Sequence, residues 1–275
     1  MARFRCNFLR QHNGAAAVFR MIPERVTAVE ELGLPKAISG LAHLQQGLVL
    51  VTGPTGSGKS TTLAAIIDLI NRSHAKHVVT IEDPVEFVHT NQRAVFSQRE
   101  VGHDTESFGA ALRAAIRQDA DVILVGEMRD LETIGLAITA AEMGALVFGT
   151  LHTNGAANTI DRLIDAFPAD EQSQVRTTLA ESLAAVVSQL LLRTADGHGR
   201  VAVHEVLLKT SGLPNIIREG NTPMITTVIQ GGKSQGMQLM DDGLMALIEA
   251  KRITPRDAYL KATDKARFEP LVKEE

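Results

Sequence analysis

The run Gly53-Pro54-Thr55-Gly56-Ser57-Gly58-Lys59-Ser60 constrains this chain more than any other stretch. It satisfies the phosphate-loop pattern G-x-x-x-x-G-K-[ST] at every fixed position. Small residues let successive backbone N–H groups curl around a phosphate, and the helix that follows points its positive end at the same oxygens. Lys59 is then placed to reach β- and γ-phosphates, Ser60 to ligate Mg²⁺, and Thr61 to open the helix at the phosphate side. The context agrees: Gly47-Leu48-Val49-Leu50-Val51-Thr52 reads as a buried strand, and Thr61 to Ile70 as the helix that should follow it. Strand, loop and helix in this order predict an α/β fold that binds a nucleoside triphosphate.

With 275 residues and 44% hydrophobic content, the chain can bury a sizeable core. Its net charge of −4 argues against a nucleic-acid partner, since there is no basic excess to neutralise phosphates. A single cysteine, Cys6, excludes an intrachain disulfide framework and a four-cysteine zinc site, and suits a reducing cytoplasm. No apolar run reaches the ~18–20 residues needed to cross a bilayer, so no direct membrane insertion is expected.

Along the chain, Phe4, Cys6 and Phe8 alternate with polar residues, His12-Asn13-Gly14 signals a turn, and Ala17-Val18-Phe19 resumes an apolar run. Residues 1–23 therefore read as a β-hairpin that needs another sheet to lie on. Residues 24–40 read as a linker with a short helix. Over 41–208, apolar runs at 77–81, 121–125 and 145–151 alternate with helical segments at 106–118, 130–143 and 156–165. This pattern predicts a mainly parallel sheet, to which 186–192 and 200–207 could add two strands. Residues 209–275 read as a helical C-terminal region, with helices at 213–219 and 237–251 and a last one opened by Thr254-Pro255. Met240, Leu244, Leu247 and Ile248 form one face of the penultimate helix and are read as core.

Hydrolysis needs carboxylates at the exits of neighbouring strands. Two segments supply them: Glu82-Asp83-Pro84-Val85-Glu86 after one apolar run, and Gly126-Glu127-Met128-Arg129-Asp130 after another, the latter resembling a Walker-B strand. A third run ends in Gly149-Thr150-Leu151-His152-Thr153-Asn154, where His152 suits a sensor of the γ-phosphate or the attacking water. The other histidines form no metal pattern.

Together these segments resemble the type IV pilus retraction ATPases, PilT-like members of the secretion superfamily of hexameric ATPases, over nearly all of residues 4–265. The resemblance implies a RecA-like core, ATP and Mg²⁺ as ligands, Glu86 as general base, Glu127 as support for the Mg²⁺ shell, and His152 as sensor. It also implies arginines delivered across a subunit boundary, at positions matched by Arg5 and Arg20. The implied function is an ATP-hydrolysing subunit of a homo-oligomer, a hexamer. It would be cytoplasmic and peripheral at the inner membrane, would turn a membrane-embedded platform protein, and would power pilus retraction in twitching motility. Such chains normally begin with a PAS-like domain of about a hundred residues, an ordinary size for a small domain, of which residues 1–23 correspond to the last hairpin.

Two further departures stand out. The family's C-terminal signature, close to Ala-Ile-Arg-Asn-Leu-Ile-Arg-Glu, corresponds to Gly212-Leu213-Pro214-Asn215-Ile216-Ile217-Arg218-Glu219, with Pro214 in place of an arginine. Ala145 stands where many relatives carry a second histidine. Among rivals, pilus-extension and type II secretion ATPases typically carry a four-cysteine zinc module, which one cysteine cannot build. A retraction-accessory paralogue, a non-hydrolysing ATP-binding scaffold and a RecA-like DNA motor are the remaining alternatives.

Overall fold

Two separate sheets organise the computed structural model, which describes residues 3–22 and 25–273. The first is the expected hairpin, β1 (Arg3–Gln11) against β2 (Gly14–Ile22), with nearly every residue exposed. The expected domain boundary at Pro23 lies outside the described residues. A short helix α1 (Lys36–Ser39) and a 3-10 turn (Gly40–His43) lead into the second sheet.

Its elements follow in alternation: β3 (Gly47–Thr52), α2 (Lys59–Ser73), β4 (His77–Glu82), β5 (Val95–Glu100), α3 (Phe108–Ala115), β6 (Val122–Val125), α4 (Leu131–Glu142) and β7 (Leu146–Leu151). Then come α5 (Ala156–Asp165), α6 (Gln172–Ser182), β8 (Leu183–Arg193) and β9 (Arg200–Leu208). The chain continues with α7 (Leu213–Arg218), α8 (Ile225–Gly231), α9 (Met240–Glu249), α10 (Pro255–Lys261) and α11 (Lys265–Lys273).

The strand order is β5-β4-β6-β7-β3-β8-β9; all neighbours are parallel except the β8–β9 pair. This is the mainly parallel, RecA-like α/β arrangement expected. The central strand explains it: Leu48 and Leu50 face one core with α3 to α6, and Val49 and Val51 face the other with α1 and α2. A strand buried on both faces must be apolar at every position, and β3 is. Leu63, Ile66, Ile67 and Ile70 bring α2 back onto the same face as Val49 and Val51. A third cluster joins Leu192 and Val203 to Met240, Leu244 and Phe268, docking the last helices on the far end of the sheet.

The structure adjusts several expectations. The strand carrying Glu127 is not beside the phosphate-loop strand: β7, which carries His152, lies between β3 and β6. The helix opened by Thr254-Pro255 is not the last, because α11 follows it. The helix expected to be penultimate, α9, is therefore followed by two more, and in it Leu244 is fully buried, whereas Leu247 and Ile248 are only partly so. Strand β5 and helices α6, α8 and α11 lie outside the expected elements. Among the described residues no helix is long and apolar enough to cross a membrane.

Strand β5 has a polar sequence, Val-Phe-Ser-Gln-Arg-Glu, because its side chains hold a loop as well as packing. Gln98 accepts from the His89 N–H (2.8 Å) and donates to the Phe87 carbonyl (2.8 Å), while Glu100 accepts from the Val85 N–H (3.1 Å). From the other side Asn71, buried at the end of α2, accepts from Gln92 N–H (3.0 Å) and donates to the Thr90 carbonyl (2.8 Å). These bonds fix the loop over residues 85–92, which begins at the end of the acidic segment. Replacing Asn71 by Ala orphans a donor and an acceptor; it should cost about 1–3 kcal/mol of stability, read as a lowered urea midpoint with an unchanged m-value.

Candidate nucleotide site

The carboxyl ends of β3, β7, β6 and β4 lie side by side, so the residues that follow each strand converge. Gly53–Gly58 forms the loop between β3 and α2, with Pro54, Thr55, Gly56 and Ser60 exposed and Gly53, Ser57 and Lys59 buried. Gly58 stands at the N-cap of α2 with φ +89°, and Gly53 has φ +138°, conformations side-chain-bearing residues rarely adopt. The loop therefore presents N–H groups at a helix N-terminus, the arrangement that attracts phosphate. The buried Ser57 hydroxyl, and that of Thr52 at the end of β3, have no hydrogen-bond partner among the described residues. Polar groups left open in this way at a loop fit a site that takes a polar ligand.

Lys59 donates from Nζ to the carbonyls of Gly53 (2.8 Å) and Pro54 (3.3 Å) and lies 3.5 Å from His152 Nδ1. His152 Nε2 in turn lies 2.9 Å from Glu127 Oε1. Burial pulls the Lys59 pKa below its usual value; the negative charges of Glu127 and then Glu86 oppose that shift. Glu127 is held below the ordinary carboxylate range, chiefly by its bonds to Arg129 and against the cost of burial, with His152 adding to the effect. Arg129 engages both carboxylate oxygens, at 2.6 Å each. Lys59, His152, Glu127 and Arg129 thus form a continuous chain of alternating partners.

The acidic segment completes the site. Glu82, at the end of β4, accepts from the Thr80 hydroxyl (2.7 Å) and from the Glu86 N–H (3.4 Å). Burial nonetheless pushes its carboxyl above the usual range. Glu86 is exposed, and its carboxylate is near enough to act on Lys59. Glu82, Ser60, Gly126 and Thr150 line one small cavity of about 30 Å³. Ser60, Glu82 and Thr150 offer it oxygen donors, the hard kind Mg²⁺ takes, and the His89 ring also lines it; Mg²⁺ is usually held by one or two protein oxygens together with substrate phosphates and water. Among the described residues no three His, Cys, Asp or Glu side chains converge as a metal cage. A metal carried in with phosphates fits this set.

On the other side of the loop, a cleft of about 820 Å³ opens past Thr61 and Thr62, walled by Leu32 to Pro35, Leu191, Val203 and Leu247. It is large enough for a nucleoside next to the phosphate loop.

The structure thus gathers the phosphate loop, Glu86, Glu127 and His152. It does not bring Arg5 and Arg20 to them. These two are exposed, paired directly across the hairpin, and make no hydrogen bond or ion pair among the described residues. Arg3, which sequence reasoning passed over, does reach the site: its guanidinium donates to the carbonyls of Val85 (3.3 Å) and Glu86 (2.9 Å). Arg129 was overlooked as well, although it lies two residues from Glu127. A basic residue beside a strand-exit carboxylate was the available signal.

Residues 1–258 match the family described as type II/IV secretion system protein. The chain is 54% identical to a twitching motility protein of Neisseria gonorrhoeae over 262 residues, covering 95% of this chain and 70% of that one. It is 53% identical to the type IV pilus retraction ATPase PilT of Pseudomonas aeruginosa, covering 95% of this chain and 76% of the relative. Among solved structures, the pilus retraction motor PilT with bound ADP superposes with a TM-score of 0.90 at 46% identity, covering 97% of this chain and 76% of that one. With its phosphate loop, acidic segments and strand order all in place, the chain belongs to the type II/IV secretion system protein family and is a PilT-like member of it.

Proposed function

We propose that this chain is a Mg²⁺-dependent ATPase, one subunit of a homo-oligomeric ring that powers pilus retraction. The observation that carries the reading is the Lys59–His152–Glu127 chain, set between the phosphate loop and the acidic segment at the common edge of the sheet. Identity above 50% to proteins named for twitching motility and pilus retraction supports the biological assignment.

In this reading the loop N–H groups cradle the phosphates, and Lys59 exchanges its carbonyl partners for β- and γ-phosphate oxygens. Glu86 accepts the proton of the attacking water as oxygen adds to the γ-phosphorus and the bond to ADP breaks. His152 hydrogen-bonds the γ-phosphate or that water. Ser60 would hold Mg²⁺, with Glu127 supporting its water shell; the bound ion supplies charge neutralisation for the phosphates. Arg5 and Arg20, solvent-facing within one subunit, act on the nucleotide of a neighbouring subunit. The nucleoside occupies the cleft beside Thr61. The ring, as a hexamer, works at the cytoplasmic face of the inner membrane on a platform protein.

Steady-state ATPase rate against protein concentration, with mass by light scattering on the same samples, tests this reading. Turnover per subunit should rise as the ring assembles and vanish when EDTA removes Mg²⁺. A monomer that binds ATP but never turns it over would leave a scaffold role instead. Glu86→Gln should keep MgATP affinity and lower kcat at least about 100-fold, the scale of general-base loss; unchanged turnover removes Glu86 from that role. Lys59→Ala should lose nucleotide binding. Arg5→Ala and Arg20→Ala should be inactive alone and partly rescued in mixed rings with Lys59→Ala. Mixed rings without rescue would make these arginines structural.

A further inference from the structure

Between Leu183 and Leu192 strand β8 is apolar except for two consecutive polar residues, Ser188 and Gln189, and β9 places Glu205 and His204 directly opposite them. The parallel register aligns Ser188 with Thr52, the last residue of β3, so Gln189 falls beside Gly53, where the phosphate loop begins. Gln189 is 2% exposed and its side-chain amide makes three hydrogen bonds. Nε2 donates to the Ser57 carbonyl (2.7 Å), and Oε1 accepts from the Thr62 hydroxyl (2.8 Å) and from His204 Nε2 (3.1 Å). His204 is buried, and burial lowers its pKa to about 4, so it is a neutral ring whose remaining N–H is committed to Gln189.

The fit behind the loop is close. A Cβ on Gly53 would lie 2.2 Å from the Gln189 carbonyl oxygen, and one on Gly58 would lie 2.9 Å from Gln189 Nε2. Gln189 therefore occupies the space that both loop glycines leave free.

The consequence comes from peptide geometry. In a trans peptide the carbonyl and the following N–H point in opposite directions. Holding the Ser57 carbonyl to the rear turns the Gly58 N–H forward, into the concave side of the loop. A Ser57 carbonyl free to rotate forward would set an oxygen lone pair against phosphate. Thr62 and His204 both donate to Oε1, so the amide cannot flip and offer Ser57 its oxygen instead of its NH₂.

We propose that Gln189 is a positioning residue for nucleotide binding: its amide, oriented by Thr62 and His204, fixes the Ser57–Gly58 peptide so that the Gly58 N–H faces bound phosphate. The proposal rests on the phosphate-loop reading above and adds a part outside every motif of that loop. The neighbouring pair does the same for the exit of β7. Ser188 accepts from the Gly155 N–H (2.9 Å), and Glu205 accepts from the Ala156 N–H (2.8 Å) at the start of α5. One two-strand ladder thus sets the backbone of two site loops.

The test is equilibrium binding of a fluorescent ATP analogue with Mg²⁺, together with steady-state kinetics and the melting temperature without nucleotide. Gln189→Met keeps the shape and removes both polar functions; Gln189→Glu keeps the acceptor and loses the donor. Each should raise Kd and KM about tenfold, as expected for one lost buried hydrogen bond, with kcat changed less than about threefold. Variants that melt earlier yet bind with wild-type Kd and KM would show a purely structural role and overturn the proposal. If neither folds, Thr62 decides: Thr62→Val should weaken binding and Thr62→Ser should restore it, and equal affinity in the two overturns the proposal. Wild-type protein that fails to bind the analogue would refute the nucleotide reading first, and this proposal with it.

Discussion

Five largely buried parallel strands, β4, β6, β7, β3 and β8, end along one edge, and the residues of the candidate nucleotide site are placed by that edge. The strands cannot move independently, because β3, β7 and β6 are joined by continuous parallel ladders. Apolar burial on both faces drives this arrangement. It also concentrates polar chemistry at the strand exits, where backbone groups need partners other than the sheet. Gly53–Ser60, Glu82–Glu86, Glu127 and His152 all sit at exits. Their proximity thus follows from strand order, although they are far apart in the chain.

At such an edge, side chains must carry the polar bonding that the sheet carries elsewhere. The site meets this demand by alternating charge. A buried ammonium, an imidazole, a carboxylate and a guanidinium each have a partner of suitable sign or lone pair, from Lys59 through His152 and Glu127 to Arg129. Arg129 is the outermost member and 74% exposed, so its hold on Glu127 is screened by water. Lys59 is the innermost. Its burial already disfavours the ammonium, and its present acceptors are two neutral carbonyls. Phosphate oxygens are better acceptors for a desolvated cation than carbonyls are.

The hairpin stands apart from this logic. It pairs with no strand of the large sheet, and one of its faces leaves Phe4, Phe8, Phe19 and Met21 each more than half exposed. Its hydrogen bonds to the acidic segment come from Arg3 at one end. Alternation along β1 sets Arg3 and Arg5 on the same face, opposite the aromatic one, and cross-strand pairing adds Arg20 there. The basic face is therefore the one turned to the site at its Arg3 end, and the apolar face is turned elsewhere.

What was legible in the amino-acid sequence divides along a physical line. The glycine-rich loop, the strand runs at 47–52, 77–81 and 121–125, and the placement of Glu86, Glu127 and His152 beyond strand ends could be read because their signals are local: closely spaced glycines, unbroken apolar strands, a polar residue after an apolar run. Strand β5 could not, since Gln98 and Glu100 hold the backbone of a different loop, and this leaves no period-two apolar pattern. Arg3 acts on residues 82 and 83 positions away. Gln189 reaches Ser57 across 132 positions. Such a residue is marked only by being polar inside an otherwise apolar strand, as Ser188-Gln189 and His204-Glu205 both are. A buried strand tolerates a polar side chain only when it finds partners. Two adjacent interruptions at matching depth in two strands are therefore a sign that something beyond the sheet is being held, and here it is the glycine-rich loop between β3 and α2.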